Sequence, residues 1–331
     1  MVYIYKKMIS GKSYYYLRIS KRTGKQVITK DIAYLGNDIK GAREKIMNLP
    51  KYKGEIRKSY RKINLFLEAE YYLHKAEKLK LKQNEFLDKQ LTQIEAIRLH
   101  YLENFKKEDL RSKEEIIKNF AINFAYNTTS IEGNTITLKE AQNLLEEGKT
   151  PKNKTLREIY DVQNTEATFI ELLTNKQKIS QKLIETIHKK LMANIDKRIG
   201  YRIKDIRVLH SHFDSTPGSY VRADMNLLID WYKKNEKELH PLVLASLFHH
   251  KFEKIHPFSD GNGRTGRMMV NFILMDKGYP PMIIYKKDRS MYLDALSSAD
   301  KINITKIDKK YKELVEFMSG EMISSYWSLF L

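Results

Sequence analysis

The sequence predicts a mainly α-helical protein that is preceded by a small β-rich module. Three observations support this prediction. Short segments rich in Tyr, Val and Ile lie within the first 36 residues, residues 55–132 contain neither glycine nor proline, and apolar residues recur at helical spacing over most of the remaining chain. With 331 residues, 42% of them hydrophobic, the chain is long enough to bury a core and too apolar to be disordered.

The composition excludes several kinds of chemistry. The chain contains no cysteine, which removes disulfides, thiol nucleophiles and thiolate zinc sites together. No apolar stretch approaches the roughly 18 residues that a membrane-spanning helix requires, and residues 1–7 do not resemble a signal peptide. We therefore expect a cytoplasmic protein with no membrane partner.

The net charge of +19 is unevenly distributed. Residues 1–120 carry 28 basic and 15 acidic side chains, a net charge of +13, whereas residues 121–331 carry 32 and 26, a net charge of +6. A basic surface attracts nucleic acid, but 45 of the 60 basic residues are lysines rather than the arginines typical of bidentate recognition. Residues 1–120 therefore allow nucleic acid as a partner without favouring it.

The first 50 residues are predicted to form a small basic module. Gly11 and Gly24 lie between the segments expected to be strands, where glycine suits hairpin turns. The strands are expected at 2–8, 13–20 and 26–35, and a short helix at about 39–48. Alternation along the second strand puts Tyr14 and Tyr16 on one face and Tyr15 on the other. Such a sheet could stack bases, but tyrosines that cover the core of their own sheet are the favoured explanation.

Helices are expected over most of the chain from residue 51. Residues 51–113 are predicted to be a helical linker with one apolar stripe, Leu87, Leu91, Ile94, Ile97, Tyr101 and Phe105. The stripe must pack on the following domain or on a second copy of the chain, so a homodimer is a reasonable expectation. Thr137 opens a capping box for a helix that ends at Gly148. Later helices are expected at 154–174, 180–193, 223–236, 241–255, 263–276, 288–298 and 304–325, and a strand is expected at 201–209.

The segment with chemistry is the glycine-rich loop His256–Arg267, which joins two apolar helices. Pro257 disfavours helical geometry at His256 and ends the first helix there. Gly261 and Gly263 allow backbone N–H groups to approach an anion. Asn262, between them, is expected to donate a side-chain hydrogen bond to a phosphate oxygen.

The charged residues of this loop indicate a polyphosphate ligand. Arg264 and Arg267 lie on one face of the first helical turn, where they oppose the helix dipole unless an anion lies between them. Asp260 would repel phosphate, so its expected role is to bind Mg²⁺. His256 is the residue of the loop that could take up a proton near pH 7.

Other interpretations of the loop are weaker. The spacing Gly261-x-Gly263-x-x-Gly266 matches a dinucleotide fingerprint, but a helix precedes it where that fingerprint requires a strand. His249, His250 and His256 suggest a metal site, but no carboxylate lies at ligand spacing. We expect His249 to be packed and His250 to be its exposed neighbour. A purely structural turn explains the glycines but not the Asp, Asn and two Arg together.

The loop resembles the signature of the Fic (Fic/Doc) family, H-x-F-x-(D/E)-G-N-G-R-x-x-R, at every fixed position. The resemblance extends over about residues 115–300. It implies a Fic catalytic domain over residues 114–331, a helical bundle with a β-hairpin flap at about 200–213 that docks an extended segment of a target protein. It also implies transfer of AMP from ATP to a Ser, Thr or Tyr hydroxyl of that target. The implied roles are base for His256, Mg²⁺ binding for Asp260, anion hole for Gly261, Asn262 and Gly263, phosphate binding for Arg264 and Arg267, and adenine contact for Tyr292.

A second segment resembles the inhibitory motif of the family, (S/T)-x-x-x-E-(G/N), with Thr128, Glu132 and Gly133 at its fixed positions. The resemblance implies an inhibitory helix over residues 114–134, in which Glu132 pairs with Arg267 and keeps ATP in an unproductive pose. The same Glu132 could instead align a water molecule, so de-AMPylation stays open. Two alternatives remain: a nucleic-acid-binding regulator with the Fic core as a nucleotide-dependent switch, or transfer of a different phosphate-containing group.

Overall fold

The structure is a computed structural model, and it describes all residues except 25, 175–176 and 207–214. Its buried apolar residues form two main cores. The smaller core belongs to the N-terminal sheet and the helices packed on it, and it reaches Leu67. The larger core extends from Phe86 to Phe330. The domain limits at 50/51 and 113/114 stay predictions.

The N-terminal module is an antiparallel sheet in the order β1-β2-β3, as the sequence predicts. Gly11 and Gly24 adopt φ of 75° and 62°, the left-handed geometry that tight turns require. Asp38 caps the following helix by accepting a hydrogen bond from the Gly41 N–H at 2.8 Å. The elements are β1 (Val2–Ile9), β2 (Lys12–Thr23), β3 (Gln26–Gly36), α1 (Ile39–Met47), α2 (Lys53–Lys58) and α3 (Tyr60–Ala76).

The two faces of this sheet differ as alternation predicts. Tyr15 is fully buried against the helices, and its hydroxyl donates a hydrogen bond to Glu70 of α3 at 3.2 Å. Tyr14 and Tyr16 lie on the opposite face, half-buried. One face of the sheet therefore packs against the helices of its core, and the other face contributes little to that core.

Ten further helices follow within the described residues, and nine of them contribute side chains to the larger core. Their bounds are α4 (Leu91–Glu103), α5 (Leu110–Ile131), α6 (Leu138–Glu147), α7 (Leu156–Leu172), α8 (Gln181–Leu191), α9 (Val221–Asn235), α10 (Pro241–Ile255), α11 (Asn262–Asp276), α12 (Arg289–Ser297) and α13 (Lys312–Leu329). The capping box at Thr137 and the left-handed Gly148 that ends α6 are both present. Helices α10 and α11 pack together, and α9 and α13 also contact α10. The loop between α10 and α11 is therefore held at both ends by buried helices.

The apolar stripe of residues 87–105 packs inside the chain. Ile94 and Ile97 are fully buried, and α4 contacts α13. The Tyr101 ring stacks on Phe105 with centroids 5.1 Å apart and meets Phe330 edge-on at 6.0 Å. The stripe is thus used by the larger core and gives no support to the expected homodimer.

Two predicted elements differ from the structure. The last helix begins at Lys312 rather than at 304, because Asn303 and Asp308 bond to backbone N–H groups two residues on and form turns instead. The strand expected at 201–209 is absent from residues 201–206, and its remaining residues lie outside the described part of the chain. Among the described helices, none is both long enough and apolar enough to cross a membrane.

Replacement of Ile97 by Ala should lower the free energy of unfolding by about 2–5 kcal/mol, because it opens a cavity in a fully buried part of α4. Urea unfolding followed by circular dichroism would measure this loss. Leu110→Ala is the matched control, since Leu110 is 73% exposed at the start of α5 and should change stability little. Equal effects of the two variants would contradict this packing of α4.

Candidate active site

The position of the glycine-rich loop is fixed by the ends of two buried helices. Helix α10 ends at Ile255, and His256 follows in the left-handed region with φ of 51°. Helix α11 starts at Asn262, directly after Gly261 with φ of 78°. A Cβ at Gly261 would come within 2.7 Å of the Met192 Sδ, so only glycine fits at this turn. The loop therefore has little freedom, as a binding or catalytic loop requires.

The Asn262 side chain forms hydrogen bonds across the loop. Its Nδ2 donates a hydrogen bond to the Phe258 carbonyl at 2.8 Å, and its Oδ1 accepts one from the Phe258 N–H at 2.8 Å. The Phe258 ring is buried and stacks on His188, with centroids 3.6 Å apart. The Asn262 side chain therefore closes the backbone of its own loop, and its expected hydrogen bond to a phosphate oxygen stays a prediction. Its backbone N–H lies at the N-terminus of α11, where an anion would bind.

His256 has the geometry of a proton acceptor. Its Nδ1–H donates to the Glu253 carbonyl at 3.3 Å, which leaves the lone pair on Nε2. Burial lowers the pKa of His256 to about 4, so the imidazole is neutral at pH 7. A neutral histidine with one fixed tautomer can take a proton from a hydroxyl that approaches Nε2.

Arg267 is buried and held by the C-terminal end of α5. Its Nε donates to the Thr128 Oγ1 at 2.7 Å and its Nη2 to the Thr128 carbonyl at 3.0 Å. The Nη2 also donates to the Glu132 Oε1 at 2.6 Å. Burial alone would raise the pKa of Glu132, but Arg267 lowers it below its ordinary value, so the pair is ionic. The predicted pairing of Glu132 with Arg267 is therefore present in the structure.

The Glu132 carboxylate also lies over the start of α11. A Cβ built on Gly263 would collide with Glu132 and come within 2.9 Å of the Arg267 Nη1. The carboxylate thus occupies the position that the absent side chain of Gly263 leaves open, at a helix N-terminus and beside an arginine. These are the features that bind an anion in proteins. Gly133, with φ of 99°, turns the chain away from α5 directly after Glu132.

Asp260 and Arg264 belong to a network that reaches α7. Arg264 is buried, pairs with Asp161 and donates to the Asp260 Oδ1 at 3.2 Å. Arg157 pairs with the other oxygen of Asp260. Burial would raise the pKa of Asp260, but Arg264 and Arg157 hold it below its ordinary value. Within the described residues, no group of three or more acidic or histidine side chains is arranged to hold a metal ion.

Tyr292 lies beside Arg267 in the site. Its ring is buried, and its hydroxyl lies 2.6 Å from the His249 Nε2 and 3.4 Å from the Arg267 Nη1. Its expected contact with adenine stays a prediction.

His250 is buried too, with its Nδ1 3.2 Å from the Tyr311 hydroxyl, so the prediction that it is exposed is wrong. Helix α10 is covered on several sides, and adjacent positions on it are both buried.

Four contributors are not predicted from the sequence, and three of them come from distant parts of the chain. Asp161 and Arg157 lie 103 residues from the loop residues they contact. Arg202, which lies within the predicted flap, is buried and donates from Nε to the His256 carbonyl at 2.8 Å and from its backbone N–H to the Pro257 carbonyl at 2.9 Å. It therefore ties the base of the predicted flap to the loop.

Glu253 is the fourth of these residues. It lies on α10, with its Oε2 3.9 Å from the His256 Nδ1 and its Oε1 3.9 Å from the His249 Nδ1. Burial raises the pKa of Glu253 to about 8, so the group is largely protonated at neutral pH. A single cavity brings these parts together; its lining includes Glu132, Glu253, His256, Gly263, Arg267 and Tyr292.

Comparison with known proteins shows which proteins part of this chain resembles. Residues 178–274 match the Fic/DOC family. The protein adenylyltransferase fic-1 of Caenorhabditis elegans is 31% identical over 183 residues, covering 54% of this chain and 36% of that protein. The protein adenylyltransferase Fic of Aedes aegypti is 34% identical over 189 residues, covering 55% of this chain and 38% of that protein. The Fic/DOC match is therefore established for residues 178–274, and the chain matches little more than a third of the length of these curated relatives.

Solved structures show the same fold. A Fic domain containing signalling protein from Bacteroides thetaiotaomicron aligns with a TM-score of 0.62 and 24% identity, covering 69% of this chain and 93% of that one. Fic-1 from C. elegans aligns with a TM-score of 0.61 and 22% identity, covering 88% of this chain and 92% of that one. These similarities confirm the predicted mainly helical Fic-type architecture.

Glu253→Gln should change how stability depends on pH. The Glu253 carboxyl has a pKa of about 8 in the folded protein and about 4.3 in the unfolded chain. Its contribution to the free energy of unfolding is therefore complete below the unfolded pKa and is lost as the pH rises to the folded pKa. Glutamine cannot lose a proton, so the melting temperature of the variant minus that of the wild type should rise from about pH 5 to pH 8.

Differential scanning fluorimetry across this range would measure that difference. Glu115→Gln is the matched control, because the Glu115 side chain is 71% exposed on α5 and its replacement should shift the melting temperature equally at every pH. A Glu253→Gln difference that stays constant with pH would contradict the protonated state of Glu253.

Proposed function

We propose that this protein transfers AMP from ATP to a Ser, Thr or Tyr hydroxyl of a target protein. The observation that carries the proposal is the placement of a neutral His256 at a cavity that also contains an arginine and the N-terminus of α11. The cavity thus combines a proton acceptor with groups that bind a polyphosphate. The names of the relatives, protein adenylyltransferases, support the same reaction.

In the proposed reaction the target hydroxyl attacks the α-phosphorus of ATP. The proton of the hydroxyl passes to the Nε2 of His256, a new bond forms between the hydroxyl oxygen and the α-phosphorus, and the bond from that phosphorus to the bridging oxygen breaks. Pyrophosphate leaves. Arg202 and Glu253 hold His256 by its backbone carbonyl and by Nδ1, so the acceptor nitrogen keeps one direction.

The phosphates would bind where the Glu132 carboxylate lies in this structure. Backbone N–H groups of Asn262 and Gly263 start α11 there, and Arg267 supplies the cation. Arg264 supports this end of the loop through Asp161 and Asp260, and a direct phosphate contact of Arg264 is part of the proposal.

Asp260 fits the Mg²⁺ that accompanies ATP. A nucleotide-bound Mg²⁺ takes one or two carboxylates and completes its shell with phosphate oxygens and water. Asp260 supplies one carboxylate, lines the cavity and is ionised because Arg264 and Arg157 lower its pKa. The ion would neutralise charge on the phosphates, and Asp260 would hold it beside the loop.

We further propose that Glu132 inhibits the enzyme by substituting for a phosphate. Its carboxylate is bound by Arg267 and lies over Gly263, so a nucleotide phosphate and Glu132 compete for the same cation and the same space. The cost of displacing Glu132 is the loss of a charge-assisted hydrogen bond at a buried arginine. Reversal of the modification, with Glu132 aligning a water molecule, is the second activity that this placement allows.

Glu132→Gly should increase self-modification by α-labelled ATP and Mg²⁺ by at least about tenfold, because it frees Arg267 and the space over Gly263. His256→Ala introduced into that variant should abolish the labelling, since no group then accepts the proton. Gel autoradiography gives the rates, and intact mass identifies the group added.

Glu147→Gly is the matched control, because Glu147 is a half-exposed glutamate at the C-terminal end of α6 and should label like the wild type. Labelling by γ-labelled but not α-labelled ATP would show phosphate transfer instead of AMP transfer. If Glu132→Gly labels no faster than the wild type, inhibition by Glu132 is wrong.

A further inference from the structure

One face of the N-terminal sheet is not used by its core. Helices α1 to α3 pack with the side chains of Val2, Ile4 and Leu17, which share the other face and are buried. The unused face carries five tyrosines from all three strands, and we call it the tyrosine face. Its tyrosines are Tyr3, Tyr5, Tyr14, Tyr16 and Tyr34. The first four are half-buried and Tyr34 is 51% exposed.

The strand register brings these rings together. Tyr16 pairs with Tyr5 on β1 and with Tyr34 on β3, so three tyrosines form a row across the sheet. The ring centroids of Tyr16 and Tyr34 are 5.2 Å apart. The Arg18 guanidinium lies 3.5 Å from the Tyr5 ring centroid and donates to Asp31 at 2.6 Å. The Tyr16–Tyr34 pair and the Arg18–Tyr5 pair therefore lie next to each other on one face of the sheet.

The charge around this surface is strongly positive. Residues 1–36 contain eight basic residues and one acidic residue, Asp31, a net charge of +7. Asp31 is already paired with Arg18. By strand alternation Lys7, Lys12 and Arg22 lie on the tyrosine face, and all three are exposed. The surface therefore offers a row of aromatic rings with cations at both ends of the strands.

We propose that the tyrosine face binds single-stranded nucleic acid. Unpaired bases would stack on the row of Tyr5, Tyr16 and Tyr34, and the cations at both ends would contact phosphates. A duplex keeps its base faces covered, so it could use the cations but not the rings. An acidic peptide likewise matches the charge but has no planar groups for the rings.

The test is fluorescence anisotropy of the full chain with labelled oligouridylate, oligothymidylate and a duplex of the same length, over a series of KCl concentrations. A single strand should bind more tightly than the duplex, with a logarithmic affinity that falls linearly with the logarithm of salt concentration. Tyr16→Ala should weaken binding about 5- to 150-fold, whereas Tyr16→Phe keeps the ring and should bind like the wild type. Preference for oligouridylate would identify RNA as the ligand, and preference for oligothymidylate would identify DNA.

Tyr60→Ala is the matched control, because Tyr60 is 60% exposed and lies at the start of α3, on the helical side of the module. It should leave the affinity unchanged, and circular dichroism would verify that each variant is folded. Absence of single-strand binding at low salt would overturn the proposal, as would duplex binding at least as tight as single-strand binding. Equal competition by polyglutamate in the wild type and in Tyr16→Ala would also overturn it, since that would show recognition of charge alone.

Discussion

The buried guanidinium of Arg267 is the group on which the arrangement of the active site depends. Arg267 is 3% exposed, and an unpaired charge at that depth would cost several kcal/mol. The structure satisfies it with Thr128 and Glu132, two residues one helical turn apart at the end of α5. Helix α5 is therefore tied to the glycine-rich loop by the same cation that would bind a nucleotide.

The contacts of Arg267 with Thr128 and Glu132 explain how one side chain could regulate the site without a large movement. Phe120 and Phe124 anchor α5 against Phe169 of α7, with ring centroids 5.2 and 5.1 Å apart. The Glu132 side chain, in contrast, is 42% exposed at the C-terminal end of the helix. A ligand shifts such an equilibrium only by its differential affinity for the two states. A phosphate at the position of the Glu132 carboxylate would require Glu132 to release the Arg267 Nη2, while the Thr128 contacts to Arg267 require no change.

The sequence predicts the features that a short segment determines, and it predicts a contact between distant segments only where a family resemblance supplies it, as for Glu132 and Arg267. His256, the glycines and both arginines lie within twelve residues, and Pro257 fixes the end of α10, so local rules suffice. Asp161, Arg157 and Arg202 reach the loop from other helices and turns, and one sequence contains no signal for such contacts. The Asn262 side chain hydrogen-bonds the backbone N–H and carbonyl of Phe258 in its own loop, a closure that residue types alone do not predict.

Burial also overrides a periodic pattern when a helix is covered on several sides. The sequence predicts a packed His249 and an exposed His250, a difference that an amphipathic helix would show. Helix α10 contacts α9, α11 and α13, and both histidines are buried. The N-terminal sheet is the opposite case, since alternation correctly places Tyr15 apart from Tyr14 and Tyr16.

The catalytic loop and the tyrosine face belong to separate hydrophobic cores, and helix α3 connects these cores. Helix α3 contributes Ile63 and Leu67 to the first core and continues to Tyr72, whose hydroxyl donates to Glu103 of α4 at 3.2 Å. Helix α4 in turn packs on α13 of the larger core. A packed helix fixes the position of the sheet in a way that a flexible linker would not. A nucleic acid held on the tyrosine face would thus raise the concentration of its bound proteins near the catalytic loop, so target selection could depend on position as well as on the sequence of the docked segment.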